Sequence, residues 1–235
     1  MSEAIAPQPK LERSGYLRIV QVLLLLAIDA AILFVAAGTL SWPAAWVYVG
    51  IRIVALIIGA VFIIRENPEI INERGRMPKN TKDFDKVFAV VYSPLVLILP
   101  FVAGLDFRFN WSDMPLWLSV IGFIGYIPAA IFPYWAMLVN NYLTTTVRIQ
   151  EERGHRVVTN GPYRYVRHPM YVGLIFGAIS MPLLLGSWWA LIPGIMMVVV
   201  AVWRTSLEDR VLQDELPGYD EYAQHSRYRL LPGVW

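Results

Sequence analysis

The chain contains no cysteine, which excludes disulfide bonds, thiolate metal ligands and a cysteine nucleophile. Its three histidines, His155, His168 and His225, do not have the spacing of metal ligands, so no metal site is predicted. The sequence also lacks a P-loop and the glycine-rich fingerprint of a Rossmann domain. Any cofactor is therefore expected to be held outside those folds.

Charged residues are scarce as well. They make up 16% of the 235 residues, against 57% hydrophobic residues and a mean hydropathy of +0.49, which is too apolar for a soluble domain. Apolar runs long enough to cross about 30 Å of hydrocarbon occur at about 17–38, 43–64, 87–105 and 115–139. A longer run, about 169–203, is interrupted by LLLGSWW, which predicts a hairpin with its turn at Gly186 and Ser187. The sequence thus predicts an all-α integral membrane bundle of about six transmembrane helices.

The distribution of basic residues predicts the orientation of this bundle. All of the 20 Lys and Arg residues except Arg52 and Arg108 fall in the N-terminus, in 65–86, in 140–168 or after the last span. Six spans put these segments on one side, which the positive-inside rule makes cytoplasmic, together with both termini. The polar start of the chain predicts no cleavable signal. Nucleic acid binding is not predicted, because membrane topology already explains the basic residues.

Two features within the first four spans carry structural predictions. Asp29 and Arg52 lie at equal distances from the TLSWP turn, so we predict an ion pair, since a lone charge inside a bilayer is costly; a role in a substrate channel is the alternative. The charged segment 65–86 predicts a short interfacial helix at about 68–75, followed by a proline-containing loop. That segment is either a solvated connector or a lid over a membrane-facing cavity.

Polar residues gather before the fifth span, in GPYRYVRHPMYVG at 161–173. Arg164, Arg167 and His168 precede a helix N-terminus, an arrangement that suits a carboxylate or phosphate; alternatively, the arginines extend to lipid headgroups. Gly173, at the end of this stretch, and Gly177, four residues later, predict close helix packing.

The residues after the sixth span predict a second part of the site. Arg204 and Glu208 are four residues apart on one helix face, so they form either a simple salt bridge or part of a pocket wall. We predict a helix over 204–216 that continues the sixth span, and a tail, 219–232, that folds back over the pocket.

These motifs together resemble a known family. The 161–173 stretch, followed by R-x-x-x-E-[DE] at Arg204 and by RYRLLP in the tail, is similar to the isoprenylcysteine carboxyl methyltransferases and the related phospholipid methyltransferases. The resemblance covers about 160–232, and NPEIINER at 67–74 is similar to bacterial members, which implies a bacterial inner-membrane protein. R-H-P-x-Y alone is less specific, because membrane sterol reductases carry a similar motif. The resemblance implies an S-adenosyl-L-methionine cofactor and a lipophilic acceptor, isoprenylcysteine carboxylate-like or another lipid, that enters from the bilayer.

The resemblance also implies roles for particular residues. Arg204 and Glu208 would be catalytic, with Arg204 beside the acceptor. The cofactor would be bound by Tyr163, Arg164, His168, Pro169, Tyr171, Gly173, Glu208 and Asp209. Asp209 stands where the family usually has glutamate, which leaves its role open.

The resemblance further divides the chain into four N-terminal spans, 1–143, and a methyltransferase-like region, 144–235. Two alternatives remain. One is a membrane reductase that transfers hydride from a nicotinamide cofactor to a sterol-like or other lipid, and the other is a non-catalytic membrane protein.

Overall fold

The computed structural model describes residues 10–76 and 81–235 and contains only helices and loops there, so the predicted all-α class is confirmed. The helices are α1 (Arg13–Ala37), α2 (Pro43–Glu66), α3 (Pro68–Gly75), α4 (Asp83–Phe109), α5 (Leu116–Val139), α6 (Pro169–Leu185), α7 (Leu191–Glu215) and α8 (Tyr219–His225). Short 3-10 turns cover Glu151–Arg153 and Gly161–Arg164.

Five of these helices, α1, α2, α4, α5 and α7, are long and apolar enough to cross a membrane. The sixth predicted span, α6, has only 17 residues, which is about 26 Å at the usual rise per residue. It nevertheless joins the same two ends of the bundle as α4 and α7. His168, at its start, bonds Asp209 near the end of α7, and Ser187, just after it, donates to Asp106 near the end of α4. Six helices therefore run between the two ends of the described bundle.

Proline and glycine set the limits of several helices. Proline occupies the first position of α2, α3 and α6, where its missing N–H is not needed. Gly186, at the predicted hairpin turn, ends α6 with a φ of 75°, a left-handed conformation that favours glycine. The turn was therefore correctly predicted.

The bundle exposes large apolar side chains, such as Leu24, Ile57 and Val90, along its outer surface. Such a surface suits contact with hydrocarbon rather than water. Within the bundle, α5 and α6 pack closely: a Cβ on Gly173 would lie 2.6 Å from Pro133 Cδ, so only glycine fits there. A Cβ on Gly177 would make an ordinary contact, 3.6 Å from Ala129. The predicted close packing is therefore confirmed at Gly173.

The predicted ion pair in the first helical hairpin is confirmed. Arg52 Nη1 lies 2.5 Å from Asp29 Oδ2, and the Tyr48 hydroxyl donates to the same oxygen over 3.1 Å. Arg52 Nη1 also donates to Tyr48 Oη at 2.8 Å. The buried Asp29 is thus paired with a cation and a hydroxyl inside the apolar bundle.

The helix predicted at 68–75 is present as α3. Asn72 is fully buried against α1, where it accepts from Glu12 N at 2.9 Å and donates to Lys10 O at 3.0 Å. Arg74 donates to Leu143 O at 3.2 Å. Helix α3 therefore lies at the edge of the site described below, with its inner face buried. The predicted proline-containing loop, with Pro78, falls outside the described residues.

Candidate active site

A cavity of about 100 Å³ lies where α6 begins and α7 ends. Its walls come from the segment 140–158, from 163–171, from the last turns of α7 and from α8. These parts belong to two stretches of the sequence, 140–171 and 204–222, and the bundle brings them together at the end that carries most of the basic residues.

Asp209 connects the elements behind this cavity. Its fully buried carboxylate accepts from Arg167 Nε and Nη2, both at 2.8 Å, and from Arg229 Nε at 2.8 Å. The Tyr219 hydroxyl and His168 Nε2 each lie 3.0 Å from Oδ1. Asp209 thereby ties the start of α6, helix α8 and the tail to α7.

The tail folds back on the start of α6, as predicted. Arg167 N donates to Tyr228 O at 2.9 Å, and His168 N donates to Arg229 O at 3.0 Å. The Arg167 side chain is 6% exposed and also donates to Ser226 O at 3.0 Å. Arg167 is therefore part of the core of the site and does not extend to lipid headgroups. Helix α7 continues to Glu215, one residue short of the predicted end.

Glu208, His168 and Tyr171 converge on the cavity. The Tyr171 hydroxyl donates to Glu208 Oε2 at 2.6 Å, while Glu208 Oε1 lies 3.9 Å from His168 Nδ1. The latter separation is beyond hydrogen-bond length. All three side chains line the cavity, and among the described residues neither Oε1 nor Nδ1 has a hydrogen-bond partner.

Arg204 also lines the cavity, but its acidic partner is Asp85 rather than Glu208. Its Nε donates to Asp85 Oδ1 at 2.9 Å, and its Nη2 lies 2.7 Å from the same oxygen. In the described part of the chain, the alternative salt bridge between Arg204 and Glu208 is not formed. The pocket-wall alternative is the one that agrees with this geometry.

Asp85 was missed by the sequence analysis, although a signal was present. It lies on the same helical stripe of α4 as Phe88, Leu95 and Leu99, and both leucines are buried. An acid in register with a buried apolar stripe requires a partner. Asp83, two residues earlier, is exposed and off this stripe.

The predicted site residues separate into two groups. Tyr163, His168, Pro169, Tyr171, Arg204 and Glu208 line the cavity. Arg164 is exposed on the surface, Gly173 packs against Pro133, and Asp209 lies behind the wall. Lining the cavity does not by itself show binding, so contact with a cofactor stays a prediction for both groups.

The segment 140–158 supplies walls that the sequence analysis did not assign. Arg148, His155, Arg156, Val157 and Val158 all line the cavity. His155 stacks on Tyr142 with ring centroids 4.4 Å apart. Burial, with Arg153 and Arg148 nearby, lowers the pKa of His155 to about 4.

Asn140 Nδ2 donates to the Tyr163 hydroxyl at 2.9 Å, and burial raises the pKa of Tyr163. The His155 and Tyr163 rings are thus both neutral near pH 7.

Within the described residues, no three His, Asp or Glu side chains are grouped to hold a metal ion.

Comparison with known proteins supports the family resemblance. Residues 120–215 match the sequence profile of the Isoprenylcysteine carboxyl methyltransferase (ICMT) family. The chain is 28% identical over 149 residues to the Nickel-cobalt-cadmium resistance protein NccN of Alcaligenes xylosoxydans xylosoxydans, which covers 60% of this chain and 61% of that protein. It is 29% identical over 111 residues to Protein-S-isoprenylcysteine O-methyltransferase B of Arabidopsis thaliana, covering 47% and 54% of the two chains.

The chain thus spans less than two thirds of the length of each relative. The matched region begins in α5 and ends with α7, so it contains the cavity-lining residues from Tyr163 to Glu208. The predicted resemblance is confirmed: this integral membrane chain resembles the ICMT family of methyltransferases across the region that builds its cavity.

Proposed function

We propose that this protein is an integral membrane methyltransferase that uses S-adenosyl-L-methionine to methylate a lipophilic acceptor. The observation that carries the proposal is the convergence of Glu208, His168, Tyr171 and Arg204 on one cavity at the end of an apolar bundle. These residues lie within the region that matches a methyltransferase family.

The residues of the cavity fit the chemistry of this cofactor. An ammonium group needs an acid, which Glu208 supplies, and a carboxylate needs N–H donors or cations, for which His168 and Arg156 are available. Val157, Val158, Leu212 and Leu216 offer apolar walls to the nucleoside part.

The size of the cavity adds a requirement. Its volume of about 100 Å³ is below the roughly 300–1,000 Å³ of typical ligand sites. We expect the wall formed by 144–158 to move outward as the whole cofactor enters.

When bound, the cofactor supplies an electrophilic methyl group on a sulfonium. The protein contributes alignment and exclusion of water, since an in-line displacement requires no protein nucleophile. The Tyr171 hydroxyl holds the Glu208 carboxylate in place, and Arg204 orients an oxygen of the acceptor. A carboxylate or thiolate acceptor needs no base, whereas an amine must first lose a proton.

The apolar surface of the bundle supports an acceptor that enters from the bilayer. An isoprenylcysteine carboxylate-like lipid and other lipids both fit this description. The concentration of basic residues at the end that carries the cavity supports a cytoplasmic site in a bacterial inner membrane, with both termini cytoplasmic.

The proposal is tested by calorimetry of detergent-purified protein with S-adenosylmethionine and, separately, with a reduced nicotinamide dinucleotide. We expect binding of the first alone. Glu208→Gln and His168→Ala should each weaken cofactor binding by about 10- to 150-fold, the equivalent of about 1.5–3 kcal/mol for a charge-assisted contact. Arg204→Lys should lower turnover with little change in cofactor affinity, because lysine lacks the planar fork of arginine.

The exposed Asp214, on the same helix, provides the matched control, and Asp214→Asn should behave as wild type. Binding of the dinucleotide alone would instead support the reductase alternative. Near-wild-type values for all three site variants would contradict the assigned site.

A further inference from the structure

We infer that Asp85 is a positioning residue that keeps Arg204 turned toward the acceptor and away from Glu208. This inference rests on the proposed function, which gives Arg204 to the acceptor and Glu208 to the cofactor. Asp85 lies in the first turn of α4, outside the region that matches the family, and is 4% exposed.

Both carboxylate oxygens of Asp85 are used. Oδ1 holds the Nε and Nη2 edge of Arg204, at 2.9 and 2.7 Å, and Oδ2 accepts from Val147 N at 2.7 Å. One buried acid thus joins α4, the cavity wall at 144–148 and α7. A charge-assisted pair of this kind fixes the orientation of the guanidinium and also stabilises the folded protein.

The guanidinium of Arg204 has little remaining freedom. Its Nη2 also donates to Thr145 O at 3.1 Å, and its Cζ lies 4.4 Å from the Phe88 ring and 5.6 Å from the Tyr171 ring. Across residues 10–76 and 81–235, Nη1 has no hydrogen-bond partner. Because Arg204 lines the cavity, Nη1 is the donor that remains for an acceptor oxygen.

Glu208 is the competing partner for Arg204. The two residues are four apart on α7, the spacing at which an arginine and a glutamate pair on a helix. If the charge of Asp85 is removed, the guanidinium is free to turn toward Glu208. Pairing there would neutralise the acid that the cofactor's ammonium needs, so one substitution on α4 would impair both acceptor positioning and cofactor binding.

The experiment compares Asp85→Asn, Arg204→Gln and the double variant by calorimetry with S-adenosylmethionine, by methyl-transfer kinetics and by thermal unfolding. Asp85→Asn should lower turnover by about 10- to 100-fold, as expected for a misplaced catalytic group, and should weaken cofactor binding several-fold. In the double variant, cofactor affinity should return to that of Arg204→Gln alone, because no guanidinium is left to occupy Glu208. Turnover should stay low.

Asp83→Asn is the matched control, since Asp83 lies in the same turn of α4 with its side chain 94% exposed, and it should behave as wild type. If Asp85 has only a structural role, the double variant should bind the cofactor no better than Asp85→Asn. That result would overturn the inference, and so would wild-type behaviour of Asp85→Asn.

Failure of the proposed function has a different signature, because wild-type protein would then neither bind S-adenosylmethionine nor transfer a methyl group. The thermal midpoints still test the pair in that case. If Asp85 and Arg204 interact, the double variant should lose less stability than the sum of the losses in the two single variants. Additive losses would exclude the Asp85–Arg204 pair itself.

Discussion

At the scale of single residues, Asp209 shows how a motif position can serve the site indirectly. The resemblance assigns it to the cofactor, and the structure surrounds its carboxylate with Arg167, His168, Tyr219 and Arg229. Its short side chain holds the carboxylate close to α7, where it is fully buried. Asp209 therefore orients His168 from the side away from the cavity, while Glu208, one position earlier, lines the cavity.

Asp209→Asn should destabilise the folded protein, because it leaves the buried Arg167 without its counter-charge. Breaking a buried pair in this way typically costs about 3–5 kcal/mol. The measurements are the thermal unfolding midpoint and the yield of monodisperse protein in detergent. Asp214→Asn, at an exposed position of the same helix, is the control, and equal midpoints for the two variants would refute a structural role for Asp209.

At the scale of elements, the segment 140–158 is the part of the cavity wall that contains no long helix, and individual polar contacts help to hold it. Gln150 Nε2 donates to Tyr142 O at 2.6 Å, Arg148 Nη2 lies 3.3 Å from Glu73 of α3, and Val147 N donates to Asp85. By contrast, the helices on the other side of the cavity pack along their lengths. This segment is therefore the element best able to move when a ligand enters.

The closed position of this segment should depend on pH through His155. Its pKa of about 4 in the folded protein lies below the value of about 6.5 for a free histidine, so the closed form is fully stable above pH 6.5. As the pH falls from 6.5 toward 4, protonation favours the open form, in which the imidazolium is hydrated. Amide hydrogen exchange at 150–158, corrected for the intrinsic effect of pH, should report increased opening over this range.

His155→Phe keeps an aromatic ring beside Tyr142 but cannot titrate, so the pH dependence of exchange should flatten. His225→Phe, at an exposed position, is the control and should retain the wild-type dependence. An equally strong pH dependence in His155→Phe would show that another group is responsible.

At the scale of the whole molecule, buried carboxylates fasten both ends of the bundle. Asp209 and Asp85 lie at the end with the cavity, and Asp106 lies at the opposite end, where it accepts from Ser112 at 2.7 Å and from Ser187. The Asp29–Arg52 pair links α1 and α2 between the two ends. Apolar packing thus fills the bundle, while buried polar contacts specify which helix ends meet.

The two ends should lie on opposite sides of the membrane, and the absence of cysteine makes this easy to measure. Asp220→Cys, near the cavity, and Asp113→Cys, beside Ser112 at the opposite end, each introduce the only thiol at an exposed position. In intact cells, a membrane-impermeant maleimide should label the cysteine at 113 and leave the one at 220 unlabelled. Both should react in opened cells, and labelling at 220 in intact cells would contradict a cytoplasmic site.

The sequence by itself determined the helical membrane class, the helix that follows Asn67, the turn at Gly186 and the pairing of Asp29 with Arg52. These features depend on local properties: the length of apolar runs, the backbone preferences of proline and glycine, and the cost of an unpaired charge in hydrocarbon. It also identified the motifs around His168 and Glu208, because residue types at short, fixed spacings are visible in a single sequence.

Only the tertiary structure decided that Arg204 pairs with Asp85, 119 residues away, and that Asp209 lies behind the cavity wall. These contacts depend on how each helix is rotated about its axis and placed against its neighbours. Helices that face lipid are apolar on nearly every side, so no polar stripe in the sequence fixes that rotation. Close contacts such as Gly173 against Pro133 and buried carboxylates such as Asp85 and Asp209 set it instead. The sequence predicts close packing at Gly173, but the partners of Gly173, Asp85 and Asp209 are known only once the helices are packed.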